Sequence, residues 1–185
     1  MTNFETILFE KQRRGVLLTL NRPALRNAMN RQMNRELYSS YLYMSMGGYF
    51  ESIHLKGFAH WMMAQVQEEL LHALRIFDYM ASRDARIEMQ PIEAPPINWP
   101  TPQKVFEDIL SHERMVTNMI NDLVRVAKSD RDEEAVKALQ WFVNEQAEEE
   151  AHVSEVLEKC RRAKDTQSQK ALDDELYDRP WPGME

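Results

Sequence analysis

Gln67-Glu68-Glu69-Leu70-Leu71-His72-Ala73 is the stretch on which the reading of this chain turns. It contains Glu-x-x-His, a carboxylate and an imidazole three residues apart in a strongly helical segment. On an α-helix such residues project from the same side, one turn apart, so Glu69 and His72 can reach one metal ion. The motif alone decides little, because Glu and His at this spacing also occur on solvated helix faces. Its weight comes from the other acids, at Glu36, Glu113 and in the run Glu145-Gln146-Ala147-Glu148-Glu149-Glu150.

Outward from this motif the chain is helical. Pro23 suits the first position of a helix, and apolar residues recur at helical spacing through Leu37, Tyr38, Tyr41, Leu42 and Met46 to about Glu51. Ser52 to Gly57 reads as a turn, and a second helix runs from Phe58 to Arg83. Residues 84–101 carry Pro91, Pro95, Pro96 and Pro100 and are not helical. Fully extended they cover at most about 60 Å, enough to return the chain to the far end of a helix about 40 Å long. A third helix begins at Pro102 and ends near Lys128. After a turn and N-cap at Ser129-Asp130-Arg131-Asp132, a fourth helix reaches about Lys164, and Thr166 to Tyr177 forms a short fifth. Two helical hairpins joined by one long crossover make an all-α four-helix bundle.

That topology brings the acids together. Glu36 and Glu69 lie equally far on either side of the first turn, as do Glu113 and Glu145 or Glu149 about the second. Each is roughly 16–18 residues from its turn, about 25 Å up its hairpin. With the hairpins aligned, acids from all four helices meet near mid-bundle. Carboxylates gathered there repel one another and are poorly solvated unless a cation joins them, and a pair of divalent metal ions supplies the counter-charge. Oxygen ligands with one imidazole suit iron or manganese better than a thiolate-rich zinc site. Two registers compete on the fourth helix: Gln146 with Glu149, or Glu149 with His152 one turn later. Height matching favours the earlier one.

The bulk properties exclude several classes. A length of 185 residues gives one domain with a real core. A net charge of −7 and a pI near 5.3 argue against nucleic acid and anionic membranes as partners. One cysteine, Cys160, excludes an intrachain disulfide and a thiolate metal site. No signal-like or membrane-spanning run is present, so a cytoplasmic location is expected.

Arg35-Glu36-Leu37-Tyr38-Ser39-Ser40-Tyr41-Leu42-Tyr43, Gln67-Glu68-Glu69-Leu70-Leu71-His72-Ala73, His112-Glu113 and Trp141-Phe142-Val143-Asn144-Glu145-Gln146-Ala147-Glu148-Glu149-Glu150 resemble the motifs of bacterial and archaeal non-haem ferritins. The resemblance spans about residues 27–178 and implies a ferritin-like bundle that stores iron. It further implies a ferroxidase oxidising Fe(II) with dioxygen at an intrasubunit di-iron centre and a cage of 24 subunits. By matching position, Glu36, Glu69 and His72 would bind the first iron. Glu69 would bridge to a second held by Glu113 and Glu149, with Gln146 just outside and Tyr43 beside the centre. Glu68, Glu145, Glu148 and Glu149 would form a third site. Bacterioferritin, the haem-binding relative, has methionine after the glutamate of Glu-x-x-His; here that residue is Leu70, and no haem is expected. The twelve methionines read as core filler.

Residues 1–22 stand apart as an N-terminal extension before the domain at 23–178, with 179–185 as a tail. Thr6-Ile7-Leu8-Phe9 and Val16-Leu17-Leu18-Thr19-Leu20 are β-prone runs that suit a hairpin, with a disordered tail as the alternative. Residues 1–30 are similar to the start of enoyl-CoA hydratases of the crotonase family, but the chain lacks that enzyme's later regions. Two other functions compete with iron storage. A non-storage di-metal oxidase or manganese catalase of the same fold predicts a small oligomer. A structural protein with a merely acidic seam predicts no stoichiometric metal.

Overall fold

The computed structural model describes residues 7–12, 15–20 and 22–182. Backbone pairing joins β1 (Ile7–Gln12) and β2 (Gly15–Leu20) in an antiparallel ladder from Ile7 opposite Leu20 to Gln12 opposite Gly15. The similarity of residues 1–30 to the enoyl-CoA hydratases falls mostly on residues whose side chains lie outside this description. The hairpin leads into α1 (Pro23–Ser52), α2 (Lys56–Ser82), α3 (Pro102–Ser129), α4 (Glu133–Arg162) and α5 (Thr166–Tyr177). The first four pack as two antiparallel hairpins, α1 with α2 and α3 with α4, joined by the non-helical crossover, which α1 fastens where Asn30 Nδ2 donates to the Arg86 carbonyl at 3.1 Å and Ser45 Oγ to the Pro96 carbonyl at 2.6 Å. The result is a four-helix bundle with a short fifth helix against α2 and α4.

Local chemistry sets the ends. Pro occupies the first turn of both α1 and α3, where its missing N–H costs nothing. Thr101 caps α3 through Lys104 N, Asp132 caps α4 through Ala135 N, and Asp165 with Ser168 closes a capping box on α5. The first turn is tighter than the sequence suggests, because Lys56 and Gly57 belong to α2. Gly57 is there for proximity: a Cβ would fall 1.6 Å from the Asp173 carbonyl of α5. Asp173 Oδ1 accepts from Gly57 N at 2.7 Å and Phe58 N at 3.1 Å, so α5 supplies the cap that α2 lacks.

The core is in two parts. One apolar cluster includes Phe50, Phe58, Trp61, Phe106 and Val153; the other includes Met33, Ile76, Met80, Ile120 and Leu139. Buried polar residues from all four long helices lie along the helices between them. Methionine serves the core only in part, since Met44, Met89 and Met115 are exposed.

Candidate metal centre

The polar layer is built from matched heights on four helices. Glu36 and Tyr43 come from α1, Gln65, Glu69 and His72 from α2, Glu113 from α3, and Gln146 and Glu149 from α4. All are buried, and the four glutamates are 1–3% exposed. Ligand atoms of Glu36, Glu69 and His72 lie within 4.8 Å of one another, as do those of His72, Glu145 and Glu149. Glu113 joins through hydrogen bonds: Tyr43 Oη donates to its Oε1 at 2.5 Å and Gln146 Nε2 to its Oε2 at 3.2 Å. His72 Nδ1 is 3.5 Å from Glu69 Oε2, and its Nε2 is 3.9 Å from Glu145 Oε1.

The electrostatics call for a cation. Burial first, and mutual repulsion second, raise the Glu69 carboxyl above its ordinary range. Burial pushes Glu36 up to about 7 and Glu149 up to about 8 and also raises Glu113. Burial pushes His72 down to about 4, which leaves the imidazole neutral with a lone pair to offer a metal. Glu36 Oε1 accepts from Gln32 at 2.8 Å, but its buried Oε2 has no hydrogen-bond partner. An unpaired buried carboxylate oxygen is costly, and a metal facing it removes the cost. Two divalent ions would balance the four carboxylates.

Outside this layer the acids behave differently. Glu68, Glu145 and Glu148 line an adjoining groove of about 1230 Å³. Glu145 is half-buried, with its carboxyl raised first by burial and then by the charges of Glu148 and Glu68. Glu148 is exposed, and Glu68 is engaged by Arg179 at 2.6 Å. His152 is exposed on the groove wall, whereas Gln146 and Glu149 are buried in the layer. Glu150 is half-buried at the edge of the layer and accepts from Thr117 at 2.7 Å.

Two glutamines that belong to no motif also serve the layer. Gln32 donates to Glu36, and Gln65 Nε2 donates to Glu149 Oε2 at 2.9 Å. Each sits four residues before a central glutamate on its own helix, so the signal was present: position i−4 shares that face.

This fold and layer define a four-helix bundle of the carboxylate-lined kind. The ferritin-like domain matches residues 26–163. The chain belongs to the ferritin-like family. It is 42% identical over 141 residues to the bacterial non-heme ferritin of Bacteroides fragilis, covering 76% of this chain and 89% of that one. With the Staphylococcus aureus protein of the same name it shares 36% identity over 127 residues, 69% of this chain and 76% of the relative. Among solved structures, an engineered closed form of the Archaeoglobus fulgidus ferritin superposes with a TM-score of 0.85 at 43% identity. That match covers 86% of this chain and 98% of the other. The open-pore ferritin of the same archaeon gives 0.84 at 43% identity, covering 85% and 98%. Among the described residues no helix is long and apolar enough to cross a membrane.

Proposed function

We propose that this protein stores and detoxifies iron, oxidising Fe(II) with dioxygen at a di-iron centre inside each subunit and depositing ferric oxide in a cage. The observation that carries the reading is the buried meeting of Glu36, Glu69, His72, Glu113 and Glu149, with one Glu36 oxygen unpartnered. Fe(II) and dioxygen are the substrates. In this reading Glu36, Glu69 and His72 hold the first ferrous ion. Glu69 bridges to a second held by Glu113 and Glu149, so both electron donors face one dioxygen molecule. Gln146 and Tyr43 orient Glu113, and the two apolar clusters keep bulk water from the layer. Glu68, Glu145, Glu148 and Glu149 form a third, weaker position on the groove side, a route by which the ferric product can leave.

Haem has no place in this reading, because Leu70 offers no sulfur ligand. Residues 1–22 are read as a segment appended to the iron-handling domain, without hydratase chemistry. Oxygen uptake on ferrous addition tests the activity: it should be rapid in the wild type and lost in Glu69→Ala and His72→Ala. Unchanged turnover in both variants would remove the assignment. A cage of 24 copies of the 21.9 kDa chain should run at roughly 530 kDa and gain iron without changing size. A small oligomer turning over without mineral would favour the oxidase or catalase reading.

A further inference from the structure

Arg179 follows α5 on a segment that folds back across α2. Its guanidinium lies 4.4 Å above the Trp61 ring, and Nη1 donates to the Trp61 carbonyl at 3.3 Å. Its own carbonyl accepts from His60 Nε2 at 2.8 Å. These contacts already fasten the tail. Nη2 does something else: it donates to Glu68 Oε2 at 2.6 Å and to Gln65 Oε1. Gln65 in turn donates to Glu149 Oε2 at 2.9 Å. A single guanidinium nitrogen therefore neutralises one groove acid and, through one amide, fixes the orientation of a carboxylate in the central layer.

We propose that Arg179 is a positioning residue that occupies the cation position beside Glu68 until a metal ion displaces it. The inference rests on reading Glu68, Glu145, Glu148 and Glu149 as a third metal position, and it adds an occupant to that position. Two cations cannot share Glu68 at contact distance without strong repulsion, so a metal arriving there must expel the guanidinium. Displacement releases Gln65 Oε1, and the amide is then free to turn and let go of Glu149 Oε2. Filling of the groove position and rearrangement of a central ligand become one event. The Arg179 contact gives Glu68 an internal counter-ion.

The test is calorimetric titration of the intact, iron-free oligomer with Co(II) under anaerobic conditions, which counts sites without redox turnover. The wild type should bind two ions strongly and a third more weakly. Arg179→Ala should tighten the third by roughly tenfold, leave the first within about twofold, and weaken the second by a smaller factor, because its ligand Glu149 loses the restraint of Gln65. Arg179→Lys, which keeps the charge but not the fork, should fall between. If the alanine variant does not assemble, Arg179→Gln carries the same expectation, because it stays able to donate to Trp61 while losing the charge. A third affinity that is unchanged or weaker, or all three shifting together, overturns the proposal and leaves Arg179 as a tail clamp. Glu68→Ala separates the two levels. Loss of the third ion in that variant upholds the site, whereas an intact third ion overturns the site reading and the Arg179 proposal with it.

Discussion

The Tyr43 hydroxyl donates to Glu113 Oε1 at 2.5 Å, tying α1 to α3 in the middle of the polar layer. With Gln146 Nε2 on Oε2 at 3.2 Å, Glu113 has both oxygens engaged, while Glu36 Oε2 has none. The two carboxylates are therefore prepared differently, one pre-oriented and one waiting for a ligand. Tyr43→Phe should leave the fold intact but free Glu113 to rotate. A hydrogen bond to a charged group is worth about 1.5–3 kcal/mol, so ferrous affinity at the Glu113–Glu149 position should drop roughly tenfold or more. Anaerobic ferrous titration reads this directly; equal affinities in the two proteins would contradict it.

The same layer makes a stability prediction of opposite sign. Four buried carboxylates oppose folding of the metal-free chain, and Glu69, the acid most surrounded by the others, should oppose it most. Glu69→Gln should raise the metal-free unfolding free energy by about 1–3 kcal/mol while abolishing the stabilisation that divalent metal gives the wild type. Thermal melts of both proteins with and without Zn(II) give the four values needed. A less stable metal-free variant would refute the electrostatic account.

The pH dependence follows from direction. Glu36 and Glu149 titrate near 7 and 8 in the folded chain, above the ordinary 4.5. Their contribution to metal-free stability is therefore complete below the ordinary value and lost as pH rises through about 7 to 8. His72, pushed down to about 4 from 6.5, acts at the other end: its contribution is present above 6.5 and lost as pH falls toward 4. The metal-free protein should melt progressively lower between about pH 6.5 and about pH 8.5, and divalent metal binding should release protons at about pH 6.5 but few at about pH 9. Calorimetry in buffers of different ionisation enthalpy measures that release. Pairing metal uptake with no proton release at the lower pH would contradict the assigned ligands.

Three helices end on left-handed residues that are not glycine: His54 at φ 61°, Asp84 at φ 51° and Arg131 at φ 54°. Each is followed by a backbone bond closing the turn, such as Leu55 N to the Phe50 carbonyl at 3.0 Å and Asp132 N to the Ala127 carbonyl at 2.9 Å. Glycine at His54 should stabilise the chain by about 1 kcal/mol, because an L side chain is disfavoured there. Gly57→Ala should do the reverse and detach α5, since its Cβ would meet the Asp173 backbone. Denaturant unfolding of the two variants should move in opposite directions.

Helix existence and site height were legible because they depend on local rules: Pro23 and Pro102 open helices, Asp132 caps one, and equal distances from a turn place Glu36 beside Glu69. Height along the helices favours Gln146 over His152 but does not separate their faces; rotation about α4 does, burying Gln146 and exposing His152. In the sequence Gly57 reads as turn punctuation, because the close approach of α5 leaves no local trace. Arg179 was illegible for the same reason: its partners Trp61, Gln65 and Glu68 lie more than a hundred residues earlier, and only the packed tail brings them together.

Anomalous diffraction at the iron edge, from crystals soaked anaerobically in ferrous salt, would locate the ions in each subunit. Two strong peaks per subunit are expected in the polar layer, one contacting Glu36, Glu69 and His72 and the other Glu69, Glu113 and Glu149; these contacts are what the di-iron reading requires. Iron found only on the surface acids, with the Glu36–Glu69–His72 cluster empty, would contradict it.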